Sequence, residues 1–116
     1  MTQGPMRIES DQWAKYFAKI AAQGFTWFDF LTVIDRDESC EVICRVVNLV
    51  SGEAELVSTN VTETVDSLSS TYVGSCWYER EAQEMFGVKF IGLADERPLL
   101  HRSDTGDSPM RKSAML

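Results

Sequence analysis

At 116 residues, with 44% hydrophobic and 25% charged side chains, the sequence fits one ordinary globular domain. A net charge of −7 argues against a nucleic-acid or anionic-membrane surface. The acidic excess lies early: residues 1–79 carry 5 basic and 12 acidic groups, whereas residues 80–116 carry 6 of each.

No apolar run reaches the roughly 18 residues that a bilayer span needs. The opening MTQGPMRIES lacks the apolar core of a signal peptide. The expected location is the cytoplasm, or the cytoplasmic face of a membrane within a complex.

In chain order, SDQWAKYFAKIAAQ (10–23) reads as an amphipathic helix, with Ser10 as its cap and Gly24 as its stop. Trp13, Phe17, Ile20 and Ala21 form its apolar stripe. FTWFDFLTVID follows, and at least 31–35 is a predicted strand. The acidic DRDES (35–39) is a solvated hairpin tip, because it lacks the spacing and central glycine of a calcium loop. Residues 40–50 form a second strand, Ser51-Gly52-Glu53 a tight turn, and 54–61 a third strand antiparallel to the second. Residues 62–74, rich in Thr and Ser, read as a polar connector. Ser75 caps a second helix, 75–86, whose apolar face is Tyr78, Ala82 and Met85. Gly87 ends it, since glycine enters the left-handed conformation without penalty. Residues 88–91 form a short strand. Beyond Gly92 the pattern dissolves into an irregular tail.

These elements imply a two-layer α+β fold: a mainly antiparallel sheet of three or four strands with helices packed on it. Residues 1–94 form the core domain and 95–116 the tail. Trp13, Phe17, Ile20, Val42, Val46, Tyr78 and Met85 are expected to be largely buried.

Little catalytic chemistry is visible. There is no phosphate-binding glycine loop, dinucleotide fingerprint, HExxH or serine elbow. Cys40, Cys44 and Cys76 make an odd count without CxxC pairs, so they read as plain thiols. Cys40 and Cys44 stand about 13 Å apart along a strand, beyond disulfide reach. His101 is the single histidine and sits in the tail. Glu79 and Glu81 are two apart on a helix and so point about 200° apart, a poor arrangement for an acid/base pair.

The C-terminal third carries a longer pattern. Trp77-Tyr78-Glu79-Arg80-Glu81, then Met85-Phe86-Gly87-Val88, Phe90 and Gly92, resembles the signature of the C subunit of respiratory complex I, NADH:quinone oxidoreductase. That signature reads roughly W-x-E-R-E-x-x-D-M-F-G-[IV]-x-F-x-G-H-P-D-L-R-R-I-L. Pro109-Met110-Arg111-Lys112 looks like the family's P-L-R-K, and 31–35 fits its L-T-A-V-D more weakly. Glu84 replaces the usual Asp, Leu93-Ala94 stand where the family has His-Pro, and Glu96 and Pro98 replace a Leu and an Arg. The related subunit of energy-converting hydrogenases is similar too. A stand-alone interaction domain descended from the family is the third possibility.

The resemblance implies a scaffold subunit of the peripheral arm with no catalytic centre of its own. It would dock against the large D subunit, which helps form the quinone site. It implies that this chain binds no cofactor, and that NADH, flavin, iron–sulfur clusters and quinone belong to partner subunits. The expected docking surface comprises Glu79, Arg80, Glu81, Arg97, Arg111 and Lys112, with Phe86, Gly87 and Phe90 holding the turn in shape.

Overall fold

A computed structural model of the chain describes residues 5–93. A short 3-10 turn, Ser10–Gln12, leads into helix α1, Trp13–Ala22. Trp13, Phe17 and Ile20 fall on one side of α1 and are buried. Burying each such side chain contributes on the order of 1.5–3 kcal/mol. Ser10 does not cap the helix as expected: Gln12 precedes it, with no side-chain cap, because the 3-10 turn has already bent the chain. Gly24 closes the helix, and its N–H donates to the Ala21 carbonyl. Its φ is 108°, and a Cβ there would lie 2.6 Å from the Asn48 amide nitrogen.

The next segment is a meander of three antiparallel strands: β2 (Trp27–Asp35), β3 (Cys40–Val47) and β4 (Ala54–Val61). Strand β2 starts earlier than the firm part of the predicted strand, and carries a bulge between Phe28 and Phe30. Strand β3 stops short of its predicted end because the Asn48 side chain accepts from the N–H groups of Val50 and Ser51 and turns the chain. Register rows cross the sheet: Leu31 opposite Cys44 opposite Val57, and Val33 opposite Val42 opposite Thr59. That face is the core floor, with Cys40, Val42, Cys44 and Val46 all at 0% exposure beneath Trp13 and Phe17. The opposite face centres on Glu41, only 5% exposed, which pairs with Arg36 at 2.7 Å and Arg7 at 3.6 Å.

Two pieces escape the sequence pattern. Strand β1, Met6–Arg7, pairs parallel with β4, giving a four-stranded sheet of order β1-β4-β3-β2. Within the expected connector lies β5 (Thr64–Asp66), parallel to β6 (Lys89–Ile91). The fold is α+β as expected, with a mixed and mostly antiparallel main sheet. Helix α2, Ser75–Phe86, matches its predicted span and packs mainly on β2. The tail from 95 to 116, including His101, lies outside the described residues.

Candidate partner-docking site

Helix α2 turns an unexpected side inward. Ser75, Glu79 and Ala82, at spacings of four and three, are its buried residues. Tyr78 and Met85, expected in the core, are only half-buried. The helix is thus rolled by roughly 60° from the orientation its apolar residues suggested, with Ala82 common to both faces. Tyr78 instead leans on Phe28 of β2, ring centroids 5.5 Å apart.

The roll is explained by Glu79, which corrects the sequence-based expectation of a surface charge. Its exposure is 0%. The carboxylate accepts from the Ser67 hydroxyl at 2.6 Å and from the Leu68 N–H at 2.7 Å. Ser67 also shares a hydrogen bond with the Ser69 hydroxyl at 2.8 Å, so the connector folds around this one side chain. Burial pushes the Glu79 carboxyl above the usual carboxylate range; the hydrogen bonds from Leu68 and Ser67 pull the other way and are outweighed. Nearby Cys44 is pushed up as well, by burial first and then by the negative charges of Glu79 and Asp29, which keeps it a protonated thiol. Glu79 belongs to the interior, because a buried carboxylate with these partners is a tie between α2 and the connector.

The turn after α2 is held as the sequence suggested, with one addition. Gly87 adopts φ 79° and donates to the Gln83 carbonyl. The Gln83 side chain then accepts from the Phe90 N–H at 2.7 Å. Phe90 is fully buried, while Phe86 is half-buried against the core. Gln83 therefore grips the turn with both backbone and side chain, a role that an exposed-looking polar residue did not announce in sequence.

The outward side is a stripe at four-residue spacing: Val73 just before the helix, then Trp77 and Glu81. Val73 is 83% and Trp77 56% exposed. Arg80 and Glu84 are half-buried on its flank, and Lys89 is exposed beyond the turn. Of the expected docking residues, the structure brings Arg80 and Glu81 to this surface and removes Glu79 from it. Arg97, Arg111 and Lys112 lie outside the described residues. Trp77 and Val73 were missed. The signal existed: a tryptophan opening a charged helix, off its apolar face, has no core to enter.

Other chemistry stays modest. Among the described residues no group of His, Cys, Asp or Glu is arranged to hold a metal ion. The acidic tip is a hairpin turn in which Asp35 accepts from the Asp37 N–H, with Asp37 at φ 73°. Cys40 and Cys44 are buried free thiols and Cys76 is partly exposed. No helix among the described residues is long and apolar enough to cross a membrane.

The structure is a small α+β domain with a half-exposed tryptophan and charged side chains at a helix–turn–strand corner. Its fold recurs in solved structures. It matches a chain of an archaeal respiratory membrane complex, the membrane-bound sulfane sulfur reductase, with TM-score 0.82 at 20% identity, covering 97% of this chain and 74% of that one. It also matches the trypsin-resistant fragment of Nqo5, with TM-score 0.71 at 21% identity, covering 77% and 79%.

The sequence makes the assignment narrower. Residues 6–116 match the family described as respiratory-chain NADH dehydrogenase, 30 Kd subunit, and the chain belongs to that family. Similar relatives include the NADH-quinone oxidoreductase C subunit of Rickettsia felis, 34% identical over 80 residues, 67% of this chain and 39% of that one. The corresponding C subunit of Sinorhizobium medicae is 41% identical over 56 residues, 48% and 28% of the two chains. The mitochondrial NADH-ubiquinone oxidoreductase 30.4 kDa subunit of Neurospora crassa is 30% identical over 96 residues, 78% and 34%. The chain spans less than half the length of these curated relatives.

Proposed function

We propose that this chain is a non-catalytic scaffold subunit of a complex I-like NADH:quinone oxidoreductase, docking through the outer side of α2 against the large quinone-site subunit. The observation that supports it most is Trp77. It opens the family's motif, stands 56% exposed, and lies between Val73 and Glu81 on a helix whose other side is committed to the core. Tryptophan and arginine are enriched among the residues that carry interface binding energy, and burying an exposed tryptophan supplies on the order of 2 kcal/mol or more. Arg80 and Glu81 then set register by charge. In this proposal NADH, flavin, iron–sulfur clusters and quinone are held by partner subunits, and the assembly sits at the cytoplasmic face of the membrane. Arg97, Arg111 and Lys112 continue the same docking surface.

Affinity purification of the full chain from its native host tests this. The large subunit is expected to co-purify with the parent and to be lost with Trp77→Ala. Retention of the large subunit by that variant, or its absence from the parent preparation, would sink the proposal. Absorbance of the purified chain between about 400 and 450 nm is expected to be flat, and a stoichiometric flavin or iron signal would contradict the scaffold role.

A further inference from the structure

A groove of about 500 Å³ lies between the chain leaving the end of β1 and helix α1, at the edge of the main sheet opposite β2 and the helix α2 that packs on it. One wall is the chain at Arg7, Ile8 and Glu9. The other is the flank of α1, where Lys15, Tyr16 and Lys19 recur at helical spacing. Ile8 and Tyr16 are half-buried against the core and give an apolar floor, and the Tyr16 hydroxyl is fixed by donating to Glu55. Lys15 and Lys19 are exposed, and among the described residues neither is held in an ion pair. Arg7 is 64% exposed and loosely placed, 3.6 Å from a Glu41 that already holds Arg36 at 2.7 Å.

We infer that this groove binds an extended acidic segment of another polypeptide, laid beside β1. Two features agree on that occupant. Among the described residues β1 is an edge strand with β4 as its neighbour in the sheet, and such edges accept an added strand. Lys15 and Lys19 are one helical turn apart, about 6 Å along the axis. Alternate side chains of an extended chain are about 6.6–6.8 Å apart. Carboxylates at alternate positions therefore meet both lysines at once, while the side chain between them turns toward the face that carries Arg7. Glu9 disfavours a carboxylate at its own end, so the acidic residues lie toward the lysines. The chain's overall −7 does not prevent this. At physiological salt, charges farther than about 8 Å are largely screened, and the local cations decide. Because the groove and α2 lie at opposite sheet edges, the outcome of this test is independent of the docking at Trp77.

The probe is a fluorescein-labelled octapeptide of alternating glutamate and valine, titrated with the full 116-residue chain by fluorescence polarisation. Saturable binding is expected, and none by the alternating lysine–valine counterpart. The Lys15→Glu/Lys19→Glu double variant is expected to bind about tenfold or more weakly, with an unchanged circular dichroism spectrum, since exposed charges contribute little to folding. Lys15→Arg/Lys19→Arg is expected to retain binding. Amide NMR shifts on peptide addition are expected to cluster at residues 7–9 and 12–19. Equal affinity for the charge-reversed variant, shifts centred on α2, or no saturation by roughly millimolar chain would overturn the inference. So would preferential binding of the Lys15/Lys19 face to phosphatidylglycerol vesicles.

Discussion

Replacing Glu79 by glutamine separates a buried carboxyl from everything else in the fold. At 0% exposure, its two oxygens satisfy the Ser67 hydroxyl and the Leu68 N–H. Glutamine keeps the volume but offers one acceptor oxygen and a new N–H pair, so one of those donors goes unmet, at about 1–3 kcal/mol. Alanine abandons both donors and leaves a void, with a combined loss of roughly 3–5 kcal/mol. The pH dependence discriminates further. Burial raises the folded-state pKa of Glu79 above its unfolded value, near 4.3. The protonated form is therefore favoured by folding. That contribution is fully present below the unfolded pKa and is lost as pH rises through the folded one. Urea denaturation followed by tryptophan fluorescence, at pH values from about 4.5 to 7, is the assay. The parent is expected to lose stability across this window relative to Glu79→Gln. Parallel stability curves for parent and variant would show that the carboxyl does not titrate in a buried site, and the account of α2's orientation would fail with it.

Glu41 has the opposite sign: the hydrogen bond from Arg36 chiefly lowers its pKa against the cost of burial, so its contribution is present above about pH 4.3 and lost on acidification. Glu41→Gln is expected to flatten the acid limb of the stability curve, and an unchanged limb would refute it. Arg80→Ala and Arg111→Ala are expected to shift the melting temperature by under about 4 °C, yet deplete the large subunit from pull-downs. Large drops in melting temperature for both would assign these arginines to the fold. Gly87→Ala places a Cβ at φ 79° and is expected to destabilise by about 1–2 kcal/mol, read as a melting shift of roughly 4–16 °C. In the native chain, a thiol reagent is expected to modify Cys76 quickly, and Cys40 and Cys44 only after denaturant is added; rapid modification of all three would contradict the buried pair.

The helices and the meander were legible because they are long enough to show a period. Trp13, Phe17 and Ile20 mark one side of α1, and Cys40, Val42, Cys44 and Val46 mark one face of β3. Strands β1 and β5 are too short to display alternation and form where β4 and β6 offer partners; β6 is as short, but Gly87 and Gly92 bracket it and Phe90 fills the core. The error at Glu79 has a different origin. Charge predicts exposure unless a specific set of donors is waiting, and those donors come from Ser67 and Leu68, in a stretch whose polar composition suggested a solvated link. On the outer side of α2, Glu81 is exposed and Arg80 half-buried, and Trp77, which the apolar face Tyr78, Ala82 and Met85 had left out, is more than half exposed.

The two parallel pairings also order events in time. Strands β2, β3 and β4 follow one another directly and can zip as hairpins while the chain is still short. The pairing of Met6 with Val57 and that of Thr64 with Lys89 must each close a long loop first. A nascent chain would therefore hold its meander early and acquire β1, β5, α2 and β6 late. The corner that carries Trp77 is then expected to be among the last parts to take shape, after the sheet it packs on.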